Sequence, residues 1–80
     1  MDDTLGWVYY KKDLPSQAIA SLQQAISKNP QSPYYHYHLG MALVKTGDII
    51  GGRQSLEKAL QLNPNFSAAA DARKALATLK

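Results

Sequence analysis

The sequence predicts an all-α fold, a short α-solenoid of two antiparallel helix pairs followed by a C-terminal capping helix. Three observations carry that prediction. A closing Asn-Pro recurs at Asn29-Pro30 and Asn63-Pro64, a step of 64 − 30 = 34 residues. The same step carries Leu5 onto Leu39, Gly6 onto Gly40, Lys11 onto Lys45, Leu22 onto Leu56 and Ala25 onto Ala59. Between the prolines, apolar residues recur at helical spacing. Self-similarity at a fixed period marks stacked copies of one unit, and a period of about 34 residues is that of a helix–turn–helix array.

Residues 3–12 read as the first helix, with Leu5, Val8, Tyr9 and Lys12 at helical spacing and acids at its start, where the helix dipole favours them. Asp13-Leu14-Pro15-Ser16 interrupts it, since proline cannot continue a helix but suits the first turn of the next. The second helix covers 16–28, with Ala18, Ile19, Leu22, Ala25 and Ile26 on one face, and Asn29-Pro30 stops it. Ser32 then offers an N-cap with Pro33 at the first helical position. This third helix extends to 46 and ends at Gly47, a residue suited to the left-handed position after a helix.

Asp48 caps the fourth helix, which runs to 62 with Ile49, Leu56, Ala59 and Leu60 inward. Gly51 and Gly52 in its first turns cost about 1 kcal/mol each against alanine. Gly52 stands one period after the small residue Ala18, which points to close approach of a neighbouring helix. Residues 66–80 form a fifth, alanine-rich helix. Ala69, Ala72, Leu76 and Leu79 make one face; Asp71, Lys74, Thr78 and Lys80 lie away from it. An unpaired last helix with a polar outer side reads as a cap that keeps a solenoid end soluble.

Composition narrows the functional classes. An apolar fraction of 45% with 19% charged residues belongs to an ordinary globular chain, not a disordered or fibrous one. The net charge is +3, but Lys11, Lys12, Arg53, Lys58, Arg73, Lys74 and Lys80 are scattered and interrupted by Asp13, Asp48, Glu57 and Asp71. A nucleic-acid binder concentrates its cations on one stripe, so no nucleic acid is expected, and binding of a nucleic acid or anionic surface through the scattered lysines is the remote alternative. No apolar run approaches the roughly 18 residues of a membrane span. Without cysteine there is neither a disulfide framework nor a thiolate zinc site. His36 and His38, two apart on a helix, point to different sides and cannot share an ion. No serine or threonine has a recognisable histidine base, and no phosphate-loop motif is present. No catalytic residue, metal or cofactor is expected.

The repeat resembles a tetratricopeptide unit. That pattern asks for a large residue, Leu-Gly, a large apolar residue, then a small residue, a large apolar one, alanine and a closing proline. The second unit supplies His36, Leu39, Gly40, Leu43, Gly52, Leu56, Ala59 and Pro64; the first supplies Asp2, Leu5, Gly6, Tyr9, Ala18, Leu22, Ala25 and Pro30. Asp2 and His36 depart from the usual tryptophan, and Asp13 from the loop glycine. The resemblance implies a right-handed solenoid forming one domain over 1–80. Its repeats are 1–32, truncated at its start as in a segment of a longer protein, and 33–66, with a capping helix at 67–80. More loosely, the stretches at 3–11, 18–26 and 35–48 are similar to terminal repeats of bacterial proteins tied to exopolysaccharide export and surface sorting. A soluble domain is expected, and its compartment is left open between the cytoplasmic and periplasmic sides of a bacterial cell.

The same resemblance implies a non-enzymatic scaffold that binds a peptide or protein segment on a concave face lined by the first helix of each pair. Its groove places fall on Asp3, Trp7, Tyr10 and Lys11, and on Tyr34, Tyr37, Met41, Val44 and Lys45, with Asp71 and Thr78 added by the capping helix. Helical spacing independently puts each of the first two sets on one side of its helix. Aromatic side chains bury large area with a polar handle, which suits binding anchors. Three other readings of these aromatics compete with docking: packing across adjacent helices, a face laid bare by the truncated first repeat, and a structural capping or self-association end of a longer array, such as a homodimer. Truncating Leu39 or Leu56 to alanine is expected to cost about 2–5 kcal/mol in chemical denaturation. Tyr37→Ala is expected to leave the helical circular dichroism nearly intact while weakening a partner.

Overall fold

A computed structural model describes residues 14–79. Among the described residues there are four helices and no strand: α1 Pro15–Lys28, α2 Pro33–Lys45, α3 Ile49–Leu62 and α4 Ala69–Thr78. Each packs against the next, as a short helical repeat solenoid requires. The helix expected over 3–12, with Leu5, Gly6, Trp7, Tyr10 and Lys11, lies outside the described residues, as does Lys80.

Local chemistry accounts for the helix ends. Pro15 and Pro33 occupy first-turn positions, where a missing N–H costs nothing. The Ser32 hydroxyl accepts from the Tyr35 amide. Next to it, His36 Nε2 donates to the Pro30 carbonyl at 3.0 Å, which ties the expected large-residue place back to the preceding turn. The three-residue connection between α2 and α3 is fully bonded. Asp48 N donates to Leu43 O and Gly47 N to Val44 O, both at 3.0 Å, while Gly47 holds a φ of 94°. This is the paired-bond ending that a left-handed glycine permits. Asp48 then turns its carboxylate to the Gly51 amide at 2.9 Å, so one residue closes α2 and opens α3.

That tight turn sends α3 back along α2, and glycine decides how close they come. A Cβ on Gly40 would lie 2.8 Å from Leu56 Cγ and 2.9 Å from the Gly52 carbonyl oxygen. A Cβ on Gly52 would lie 2.9 Å from the Gly40 carbonyl and against a Val44 methyl. The two glycines face each other where the helices cross, as the placement of Gly52 one period after Ala18 anticipates.

Two apolar clusters follow from this stacking. Ala18, Leu22 and Ala42 form one, with Ile19 and Leu39 packed on it. Tyr37, Leu56, Ala59, Phe66, Ala68, Ala69 and Ala72 form the other, with Met41, Leu60, Leu76 and Leu79 around it. Leu22 and Leu56 are fully buried, one period apart. Leu39 is only half-buried, so its truncation falls at the low end of the expected range.

The structure corrects two expectations. The last helix starts at Ala69, not at 66. Asn63 Oδ1 accepts from Asn65 N, and the Phe66 and Ala69 amides bond to the Asn63 and Phe66 carbonyls, making an extra pair of turns that drops Phe66 into the core. Ile49, expected inward, is 38% exposed, and Ile50 is 72% exposed. Their turn lies beside Gly47 and Asp48, which bring no apolar side chain to cover them.

Gly40→Ala and Gly52→Ala are each expected to lower stability by about 1–2 kcal/mol net, because overpacking exceeds the propensity that alanine returns. Urea unfolding reads this directly. Gly47→Ala, with nothing within 4 Å of its Cβ, should lose about 1–2 kcal/mol from backbone conformation alone.

Candidate functional site

Residues on α2 meet residues of α4 across a cleft of about 390 Å³. From α2 it is lined by Tyr37, Met41 and Val44. From α4 it is lined by Asp71, Lys74, Ala75, Thr78 and Leu79. The two walls use the same register: 37 + 34 = 71, 41 + 34 = 75 and 44 + 34 = 78. A cleft of this size suits a few inserted side chains.

Burial grades the lining. Met41, Val44, Ala75 and Leu79 are half-buried and make the apolar part. Asp71, Lys74 and Thr78 are exposed and put one charge of each sign and a hydroxyl on the α4 rim. The Thr78 hydroxyl donates to Ala75 O at 2.7 Å, which steadies the last turn of that wall.

The sequence-predicted residues divide accordingly. Tyr37, Met41 and Val44 come together in the cleft, joined by Asp71 and Thr78. Tyr34, 39% exposed, sets its ring edge-on to His38 and Phe66, 5.2 Å and 5.9 Å between centroids, beside the second cluster. Lys45 is exposed at the end of α2. Trp7, Tyr10 and Lys11 lie outside the described residues. Sequence reasoning missed Lys74, Ala75 and Leu79. The signal was available, since they stand one period after Gly40, Met41 and Lys45.

Tyr37 needs a correction of a different kind. It is 7% exposed and its ring meets Phe66 edge-on at 6.0 Å and His38 at 5.2 Å. It floors the cleft as part of the core, so it cannot be removed with the fold left intact. Among the described residues no group of three or more histidines, aspartates and glutamates is placed to hold a metal. No described helix is long and apolar enough to cross a membrane.

A family model described as TPR repeat matches residues 6–47, more than half of the 80, and one described as tetratricopeptide repeat matches 33–66. The chain belongs to the tetratricopeptide-repeat family. No curated protein gives a significant match. The second match spans α2, α3 and the Asn63–Phe66 turn. Tetratricopeptide repeats generally mediate protein–protein interaction. Neither match extends to the narrower likeness to bacterial export and surface-sorting repeats.

Tyr37→Ala is expected to cost about 3–5 kcal/mol, the loss typical of a large aromatic cut from a core, in thermal or urea unfolding.

Proposed function

We propose that this tetratricopeptide domain is a non-enzymatic scaffold that docks an extended segment of a partner protein in the cleft between α2 and α4. One observation supports this above the others: the cleft is apolar and built from equivalent positions of successive repeats. Met41 and Val44 serve as the contacting anchors on a floor supplied by Tyr37. Trp7, Tyr10 and Lys11 stand one period before Met41, Val44 and Lys45 in the sequence, and the docking reading includes them on that ground alone. Tyr34 and Lys45 flank it. The segment carries apolar side chains for the half-buried lining and a basic residue toward Asp71. On this reading the domain divides into repeats 1–32 and 33–66 with 67–80 as the cap.

A structural role at the end of a repeat array is compatible with docking and has its own support. Lys74 stands one period after Gly40, where α2 receives α3, and is exposed. A following helix would meet a cation there in place of a glycine. Self-association through the cleft is the competing outcome, and sedimentation across a concentration series separates it from a monomer with an open cleft.

The direct test is selection of peptides from a displayed library on the intact chain, followed by fluorescence anisotropy of a recovered peptide. Met41→Gln is expected to weaken binding about tenfold, near 1.4 kcal/mol, while Ile50→Asp leaves it unchanged. Equal affinity for wild type and Met41→Gln contradicts docking in this cleft. Asp71→Lys should discriminate against peptides with basic residues, with stability changed by no more than about 0.5 kcal/mol.

A further inference from the structure

Among the described helices, the second wall of the cleft is the least self-sufficient. α4 has only ten residues. Isolated helices shorter than about 12–15 residues are marginal in water, so its order comes from what it touches. Its alanine face rests on the second cluster, and Arg73 Nη2 donates to the Pro64 carbonyl near its start. Its C-terminal end lacks a basic residue in the last turn. Leu79 N bonds to Leu76 O, and the Leu79 carbonyl accepts from Arg53 Nη2, which reaches across from α3. A guanidinium there meets both an orphan carbonyl and the negative end of the helix dipole. A charged donor makes a stronger bond than a neutral one.

The repeat shows that this arginine is particular to the last interface. One period earlier, at 53 − 34 = 19, the chain has Ile19, packed on the cluster of Ala18, Leu22 and Ala42. There an aliphatic side chain meets the next helix. Arg53 instead is half-buried and spends its polar end on the terminus of α4.

We propose that Arg53 is a positioning residue for the cleft. Its bond to the Leu79 carbonyl holds the last turn of α4, and with it Ala75, Thr78 and Leu79, at the distance from Met41 and Val44 that a docked segment requires. The binding part of this inference rests on the docking reading; the latch itself does not.

The test compares wild type, Arg53→Gln and Arg53→Lys as the full chain, by amide exchange and methyl NMR, then by anisotropy with the selected peptide. In Arg53→Gln the amides of the last α4 turn should exchange at least about tenfold faster, with those of α2 and α3 unchanged. Methyl NOEs between Leu79 and the Met41–Val44 wall should fade, and the peptide should bind about tenfold more weakly. Arg53→Lys, which keeps a charged donor, should recover part of all three. Unchanged exchange at the end of α4, or equal acceleration in every helix, overturns the latch. Selective loosening with unaltered peptide affinity overturns its role in positioning. A wild-type chain that selects no peptide removes the docking reading, while the exchange pattern still decides whether Arg53 holds α4.

Discussion

Gly40 and Gly52 meet backbone to backbone where α2 crosses α3, and the rest of the fold is arranged around that contact. Without a Cβ on either side, Leu56 can slide under Gly40 and become fully buried. The core that forms around Leu56 includes Tyr37 and Phe66, and Phe66 leads the chain into α4. A few ångströms at one crossing therefore propagate to the placement of the last helix. They also orient the outer row of α2. Val44 touches Gly52 on one side and the cleft on the other, so the spacing of the helix pair and the lining of the groove are not independent.

The cleft is a consequence of repetition. Helices one period apart present corresponding positions side by side, and when the first set is Tyr, Met and Val the result is an apolar trough. The second set differs in chemistry: Asp71, Ala75 and Thr78 replace bulk with small or polar groups. The open space of the cleft comes from that asymmetry. Had α4 repeated the aromatic and aliphatic residues of α2, the two walls would have filled the space between them. Aromatic bulk on one wall and small residues on the other leave a space that is apolar and open.

Much of this architecture was legible because its causes are local. Ser32, Asp48 and Gly47 announce their caps by residue type, and the Asn-Pro pairs announce their stops. Gly52 could be read as a packing position because the repeat sets it against Ala18. The misses share a physical origin too. Tyr37 has the same sequence signature whether its ring faces a ligand or a phenylalanine 29 residues later, since 66 − 37 = 29. The exposure of Ile49 depends on what the adjoining turn offers, and periodicity carries no information about helix ends. Phe66 looked helical because it begins an alanine-rich run, yet burial and the Asn63 turn hold it outside α4. The contact of Arg53 with Leu79 joins residues from different helices and has no counterpart in the preceding unit, so repetition gave no hint of it.

Docking of a partner in the trough between α2 and α4 is tested most directly by where its contacts fall. Methyl-resolved NMR on the free chain, titrated with a peptide selected on it, locates the contact without any substitution. Perturbations centred on Met41, Val44, Ala75 and Leu79, with Ile49 and Ile50 silent, are what the account predicts. Perturbations centred on Ile49 and Ile50 at the opening turn of α3, with the Met41 and Leu79 methyls unmoved, would contradict it.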